Sequence, residues 1–174
     1  MSEALFLEEI QTPVGGMTMI SSRDGVLRML EFNYREARWR PVAGRRFKGA
    51  AFIEKPSGHR QTLERYFDGD IAALDGIETD GGGTEFQRAV WTRLREIPPG
   101  TTTSYGAIAR DIGKPAAMRA VGHANGANPI AIVVPCHRVI GSDGSLIGYG
   151  GGLPQKHWLL DHEARHTGQT RRRA

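Results

Sequence analysis

The sequence predicts two domains of different fold class, an α/β domain at residues 1–80 and a mostly helical domain at residues 81–166. Polar and apolar residues alternate in "GGMTMISSRDGVLRMLEF", which predicts two strands joined by a turn at residues 23–25. The glycine-rich segment at residues 74–84 lacks helical periodicity and is typical of a linker between domains. After this segment, capping residues and helical spacing recur. We therefore expect a mixed first domain and a helical second one.

One more helix is predicted in the first domain. Residues 35–55 are rich in arginine and are expected to be irregular. In "HRQTLERYFDG", Leu63 and Phe67 lie four residues apart and Gly69 follows them. This spacing predicts a short amphipathic helix that ends at the glycine.

The second domain is predicted to begin with a capped helix. Thr84 followed by Gln87 matches a capping box, and "PPG" at residues 98–100 ends the helix. The apolar residues that share one face of this helix are Phe86, Val90, Trp91 and Leu94.

Two further helices follow in a helix-turn-helix pattern. Ser104 suits the N-cap of "YGAIARDIG", and Gly113 suits the position just after that helix. Pro115 suits the first position of the second helix, "PAAMRAVGHANGAN". The same pattern also fits an ordinary αα-hairpin.

The second of these helices has two distinct faces. An apolar stripe comprises Ala117, Ala120, Val121 and Ala124, and the neighbouring face comprises Arg119, Gly122, His123 and Gly126. A helix that reads base edges in the major groove usually carries several long polar side chains, which this one lacks. Small residues around one long cation favour a close approach to the minor groove, with the cation as a wedge. They equally fit close packing between helices.

Composition and charge restrict the classes of function. A single cysteine among 174 residues rules out an internal disulfide and a multi-thiolate metal site, so we expect a cytoplasmic protein without metal or cofactor. No targeting segment is recognised, and no apolar stretch approaches the ~20 residues of a membrane span.

Residues 85–174 carry 12 basic and 6 acidic side chains, against 11 and 13 in residues 1–84. This excess weakly favours a polyanionic partner, and the tail at residues 167–174 is expected to be disordered and to attract phosphates.

The only cysteine lies in "VVPCHRVIG". The apolar run at residues 130–134 predicts a buried strand that ends at Pro135 and presents Cys136. Free cysteines are often buried as small apolar residues, but His137 and Arg138 would be costly to bury without a purpose. A nucleophilic thiolate needs a base or a positive field, and His137 could act as the base through a turn or a bridging water.

The final helix, "QKHWLLDHEARH", supplies candidates for a carboxylate that orients His137. Glu163 and Asp161 both lie in this helix, and sequence alone does not choose between them.

Three segments together resemble the O6-alkylguanine-DNA alkyltransferase (methylated-DNA–protein-cysteine methyltransferase) family, of the single-cysteine bacterial type. They are "VVPCHRVIG", "SYGAIARDIGKPAAMRAVGHANGANP" and "GYGGGLPQKHWLLDHE", and the resemblance covers most of residues 84–163. The N-terminal part is similar only through "TPVGGM" and "ERYFDG". The resemblance implies a ribonuclease-H-like α/β domain followed by a winged helix-turn-helix-like domain.

The resemblance also implies roles for individual residues. Cys136 would accept the alkyl group, activated through a water by His137, which Glu163 would orient. Tyr105 would hydrogen-bond the flipped guanine, and Arg119 would replace the extruded base in the stack. The other DNA-binding positions would be Gly122, His123, Ala124 and Gly126, and the pocket and hinge would comprise Asn128, Pro135, Val139, Tyr149 and Gly150.

The implied function is DNA repair by a single irreversible transfer to Cys136. The expected partner is double-stranded DNA, bound by a monomer in the minor groove with little sequence preference, and cooperativity along DNA stays open. His123 stands where a small residue is expected, and Gly150 stands where relatives may carry a hydroxyl group, which leaves the preferred alkyl size open. The alternatives are a lesion-binding protein without transfer, a helix-turn-helix regulator with a sensing cysteine, and a thiol hydrolase.

Overall fold

The computed structural model of the protein describes residues 3–33 and 36–168. Its chain forms two compact units, Met1–Gly81 and Gly82–Ala174. The first unit is built around a sheet and the second is mainly helical, in agreement with the predicted mixed and helical parts. The predicted basic tail lies outside the described residues from residue 169 onward.

A four-stranded sheet forms the centre of the first unit. Its strands are β1 (Ala4–Thr12), β2 (Gly15–Ser21), β3 (Leu27–Phe32) and β4 (Ala51–Glu54), in the order β3-β2-β1-β4. The predicted hairpin is confirmed, because β2 and β3 pair antiparallel and the turn between them contains Gly25 at φ +92°. β1 is antiparallel to β2 and parallel to β4, which lies at one edge.

The prediction that residues 35–55 are irregular is wrong. This segment contains α1 (Glu36–Arg46) as well as β4. Pro41 lies inside α1, and the many arginines obscure the helical pattern in the sequence. The helix is held by apolar packing of Ala43 and the following Phe47 against the sheet. Tertiary packing thus outweighs the weak local preference.

The predicted amphipathic helix is confirmed as α2 (Arg60–Phe67), which buries Leu63 and Tyr66. The next segment is more structured than a linker. A 3₁₀ helix spans Ile71–Gly76, and Leu27 then pairs with Thr79 through a parallel bridge.

The second unit contains four helices and a pair of two-residue parallel strands among its described residues. The capping box of Thr84 and Gln87 is confirmed, as is the Ser104 cap, whose hydroxyl accepts a hydrogen bond from the Ala107 amide at 3.2 Å. The elements are α3 (Glu85–Arg95), β5 (Thr103–Ser104), α4 (Tyr105–Asp111), α5 (Met118–Gly126), β6 (Val139–Ile140) and α6 (Leu153–His166).

Two predictions in this unit are wrong. The second helix of the motif begins at Met118 rather than Pro115, because residues 115–117 form a turn in which the Ala117 amide binds the Lys114 carbonyl at 2.8 Å. The apolar run at residues 130–134 is buried, but it forms turns and not a strand. An apolar run predicts burial more reliably than it predicts a strand.

The turns before Cys136 are shaped by side-chain bonding and an unusual backbone conformation. Ile132 has a φ of +70°, which is rare for a β-branched residue. The Asn128 side chain accepts a hydrogen bond from the Ile130 amide at 3.0 Å and donates one to the Val134 carbonyl at 2.8 Å. These bonds satisfy backbone groups that a strand partner would otherwise bind. Within residues 3–33 and 36–168, every helix is too short or too polar to cross a lipid bilayer.

Candidate active site

Cys136 begins a short 3₁₀ turn, Cys136–Arg138, between Pro135 and β6. It is buried, with 6% of its surface exposed. The side chain of Asn125, on α5, donates to the Cys136 carbonyl at 3.5 Å. The cysteine is therefore placed by a tightly bonded turn and by the helix beside it.

His137 lies directly after the cysteine and is fully buried against α6. Its Nε2 is 2.7 Å from Oε1 of Glu163. A carboxylate only accepts hydrogen bonds, so Nε2 carries the proton and Nδ1 is the basic nitrogen. No described residue donates to this buried Nδ1. Burial lowers the pKa of His137, which keeps the ring neutral near pH 7 and able to accept a proton.

Two side chains of the Cys136–Arg138 turn, named the acceptor turn after the role expected of Cys136, hold Glu163. Besides His137, it accepts hydrogen bonds from Nε and Nη2 of Arg138, both at 2.9 Å. Burial alone would raise the pKa of Glu163, but the bonds and positive charge from His137 and Arg138 outweigh burial and hold the pKa well below its usual range. Asp161, the other sequence candidate, instead lies 3.0 Å from Nδ1 of His157. Glu163 is therefore the carboxylate that orients His137.

Arg138 had no assigned role in the sequence reasoning beyond the cost of its burial. Its side chain is 8% exposed, and its Nη1 also donates to the Ile97 carbonyl at 2.6 Å. Arg138 thus ties the end of α3 to the carboxylate on α6. Buried ion pairs of this kind depend on having every polar atom bonded.

Tyr105 opens α4 and is half-buried. Its hydroxyl donates to the Ile147 carbonyl at 3.3 Å. Burial raises the pKa of Tyr105, and negative charge on Cys136 raises it further. The phenol therefore remains protonated at neutral pH and can serve as a hydrogen-bond donor.

Lys156 was missed by the sequence reasoning. It is fully buried, and its Nζ donates to the carbonyls of Val139 at 2.6 Å, Ile147 at 3.1 Å and Gly148 at 3.5 Å. Burial lowers the pKa of Lys156 to about 8, although negative charge on Cys136 acts in the opposite direction. Helical spacing was the available signal, because Lys156 lies three residues before the buried Leu159 and on the same face of α6.

Comparisons with known proteins identify the family. Residues 85–165 match the model described as 6-O-methylguanine DNA methyltransferase, DNA binding domain. The methylated-DNA–protein-cysteine methyltransferase of Salmonella typhimurium is 44% identical, over 91% of this chain and 95% of that protein. Its counterpart from Mycolicibacterium paratuberculosis is 49% identical, over 91% and 92%. The chain belongs to the 6-O-methylguanine-DNA methyltransferase family.

Solved structures of this methyltransferase family have a similar fold. Mycobacterium tuberculosis OGT in complex with DNA superposes with a TM-score of 0.76 and 41% identity, covering 92% of this chain and 94% of that one. The O6-methylguanine-DNA methyltransferase of Pyrococcus kodakaraensis superposes with a TM-score of 0.70 and 26% identity, covering 91% and 98%. Both similarities extend over the two units and not only over the matched domain.

The methyltransferase resemblance assigned five positions of α5 to DNA binding, and four of them reach the surface. Arg119, His123 and Gly126 are exposed, and Gly122 is half-buried. Ala124 is 3% exposed, and its carbonyl accepts a hydrogen bond from Trp91 Nε1 at 2.8 Å. This burial agrees with its place in the predicted apolar stripe, and its role in DNA binding stays a prediction.

The positions assigned to the pocket and hinge fall into two groups. Asn128, Pro135 and Val139 are buried around the acceptor turn, and Tyr149 and Gly150 are half-buried in the segment before α6. Lys156 connects the two groups, since it bonds Val139 on one side and the residues just before Tyr149 on the other.

Proposed function

We propose that this protein is a methylated-DNA–protein-cysteine methyltransferase that transfers an alkyl group from O6-alkylguanine in DNA to its own Cys136. Family membership supports this activity. The observation that carries the assignment to particular residues is the buried arrangement in which Glu163 orients a neutral His137 directly beside the cysteine. Each molecule acts once, because the thioether product is not hydrolysed and the chain has no second cysteine.

The transfer is a direct displacement at the alkyl carbon. A water relays the thiol proton from Cys136 to Nδ1 of His137. The sulfur–carbon bond then forms as the carbon–O6 bond breaks, and the electron pair passes to the guanine. Tyr105 donates a hydrogen bond that stabilises the developing negative charge, and the guanine finally takes up a proton. The alkylated base must leave the duplex stack first, since a buried thiol cannot reach into it.

The DNA-binding part of the proposal concerns α4 and α5, as a winged helix-turn-helix-like module. Arg119 fills the space of the extruded base, and Gly122 and Gly126 let the backbone approach the minor groove closely. The exposed His123 belongs to the same proposed DNA-binding surface. Binding by phosphate contacts has little sequence preference and weakens as salt rises.

The oligomeric state, the cellular location, the roles of the two domains, the hinge and the guanine pocket are also part of the proposal. The protein acts as a monomer in the cytoplasm, where its lone thiol stays reduced. Residues 1–80 form a ribonuclease-H-like supporting domain, and residues 81–166 form the catalytic and DNA-binding domain. Asn128 is the hinge between α5 and the acceptor turn, and the backbone near Val139, Tyr149 and Gly150 lines the guanine pocket.

Mass spectrometry after incubation with O6-methylguanine duplex tests the transfer. We expect one methyl group on Cys136, a burst that stops near one equivalent, and no adduct on Cys136→Ser. An unmodified Cys136 beside intact lesion would exclude the activity. Continued turnover would instead indicate a thiol hydrolase, and binding to one DNA sequence without transfer would indicate a regulator.

The Arg119→Ala variant tests the mode of DNA binding. Loss of the arginine should slow repair of duplex DNA and leave the reaction with free alkylated base nearly unchanged. Arg23→Ala, which removes an exposed arginine from the first unit, is the matched control. Equal losses on duplex and free base would contradict the role assigned to Arg119.

A further inference from the structure

Met118 exposes an apolar side chain that the fold does not bury. It is 53% exposed, whereas Met17, Met19 and Met29 are each 0% exposed. Large apolar side chains exposed in this way carry more meaning when they lie beside a functional surface. Met118 is the first residue of α5 and directly precedes Arg119.

The surroundings of Met118 place it at the edge between α4 and α5. A Cβ atom on Gly106 would lie 3.7 Å from the Met118 sulfur and 3.6 Å from Nη1 of Arg110. A Cβ atom on Gly122, one helical turn after Met118, would lie 3.9 Å from the Tyr105 ring. The thioether therefore lies on a surface of glycine backbone that continues to the tyrosine of the proposed pocket.

Charge around this surface indicates the chemistry of its partner. Arg110 and Arg119 are both exposed: Nη1 of Arg110 shares the surface over Gly106 with the thioether, and Arg119 is the next residue of α5. The neighbouring Asp111 accepts a hydrogen bond from Arg93 at 2.8 Å. A surface that combines an apolar side chain with two cations complements a strand in which anionic phosphates alternate with apolar sugar and base faces. Proteins that bind the minor groove often insert methionine or another apolar side chain there.

We propose that Met118 is a second, apolar DNA contact of α5, which packs against the sugar and base next to the extruded guanine while Arg119 fills the stack. This inference rests on the proposed function. Met118 does not touch the reacting atoms, so it is a positioning residue. Its contribution concerns the affinity for duplex DNA and not the chemistry at Cys136.

The test is single-turnover transfer from O6-methylguanine duplex, measured against protein concentration for Met118→Ala and Met118→Gln. We expect the half-saturating concentration to rise about tenfold for either variant, since each loses an apolar contact. The limiting rate and the reaction with free O6-benzylguanine should stay unchanged. The salt dependence of binding should also stay unchanged, because Met118 carries no charge. Ile53→Ala, which truncates an exposed apolar residue of the first unit, is the control.

The outcomes separate this inference from the function on which it rests. Wild-type affinity in both Met118 variants, with a weakened Arg119→Ala, would overturn the contact and leave the alkyl transfer intact. Retained affinity in Met118→Gln beside a weakened Met118→Ala would also overturn it, because the contact would then depend on the length of the side chain and not on its apolar character. A wild-type protein that neither binds nor repairs the duplex would instead refute the proposed function.

A second measurement changes Met118 chemically in the folded protein. Hydrogen peroxide converts a thioether to a polar sulfoxide and is reduced to water. Treatment of Cys136→Ser protein should weaken duplex binding several-fold without changing thermal unfolding, because the other described methionines are fully buried. The same treatment of a Cys136→Ser, Met118→Ala double variant should have no effect. Complete oxidation of Met118 with unchanged binding would contradict the proposal.

Discussion

Each unit of the protein contains a buried carboxylate paired with an arginine. In the first unit, Glu8 accepts hydrogen bonds from the Ser57 amide at 2.8 Å, the Ser57 hydroxyl at 3.0 Å and Arg60 Nε at 2.6 Å. In the second unit, Glu163 accepts from Arg138 and His137. Burial would raise the pKa of both carboxyl groups, and in both cases their donors lower it instead.

Glu8 and Glu163 differ in the groups that they bind. Arg60 is 46% exposed, so its charge stays largely solvated, whereas Arg138 is 8% exposed. Glu163 also binds the imidazole of the residue that follows Cys136, and the other nitrogen of that imidazole is basic. A buried carboxylate–arginine pair alone therefore indicates structure. The oriented neutral imidazole beside a thiol is what indicates chemistry.

Glu163→Gln should produce the largest effect. The amide oxygen can still accept from Nε2 of His137 and Nη2 of Arg138, but the NH2 group cannot accept from Nε of Arg138. The buried arginine therefore loses a hydrogen bond and its counter-charge, and the imidazole loses the negative charge that holds it. We expect the single-turnover transfer rate to fall by about a hundredfold or more. The free energy of unfolding in urea should fall by about 3–5 kcal/mol.

A rate measurement at saturating duplex, below the unfolding temperature of the variant, separates the two effects of Glu163→Gln. Asp161→Gln is the control on the same helix, since Asp161 lies beside the exposed His157 and not beside His137. A folded Glu163→Gln protein with the wild-type rate would show that the imidazole needs no carboxylate.

Lys156→Met should produce the next largest effect, on rate. Its ammonium group and a thiolate at Cys136 stabilise each other, and its bonds hold Ile147 and Gly148 near Val139. We expect transfer at pH 7 to slow about tenfold, equivalent to one unit of pKa. The pH at which the rate is half-maximal should rise. Tyr105, His137 and the Arg138–Glu163 pair remain in the variant.

Two substitutions control for other effects at Lys156. Lys156→Arg keeps the charge and should keep the position of the pH profile, while Lys48→Met removes an exposed lysine of the first unit and should change nothing. A lower rate for Lys156→Met without a displaced pH profile would show that only the backbone bonds matter.

Local sequence patterns predicted part of the fold. The hairpin and helices α2, α3 and α4 were predicted because turns, caps and apolar spacing act locally. The helix α1 was not, because Pro41 and the arginines oppose the pattern and only packing on the sheet favours the helix.

The candidate site divides in a similar way. Cys136, His137 and the pair of possible carboxylates could be identified from residue type and order, the family resemblance chose Glu163, and the geometry of α6 agrees with that choice. Lys156 and the bonding of Arg138 were missed, since lysine and arginine are usually exposed and their burial depends on carbonyls distant in sequence.

Lowering the pH from about 6.5 to about 5 should reduce the stability of the fold through His137 and not through Glu8 or Glu163. The folded pKa of His137 is lowered, so below the unfolded value of about 6.5 the unfolded chain binds the proton more readily and stability falls as pH falls. The expected loss is at most about 1.4 kcal/mol per pH unit between pH 6.5 and 5. The contributions of Glu8 and Glu163 persist there, because their lowered pKa values make them lose stability only below about pH 4.5.

Urea unfolding of wild type and His137→Gln at several pH values measures this difference. The glutamine does not titrate, so the variant should lose less stability between pH 6.5 and 5 than the wild type does. Parallel curves for the two proteins would show that the proton is taken up elsewhere.

Glu8→Gln should have the smallest effect. The glutamine oxygen can keep the Ser57 bonds, and Arg60 can turn into solvent because nearly half of its side chain is already exposed. We expect a loss of about 1 kcal/mol in the free energy of unfolding and no change in transfer rate. The exposed Glu54→Gln is the control on β4. If Glu8→Gln lost as much free energy of unfolding as Glu163→Gln, the exposure of the arginine would not determine the cost of breaking a carboxylate–arginine pair. A slower transfer would mean that the first unit contributes to the chemistry.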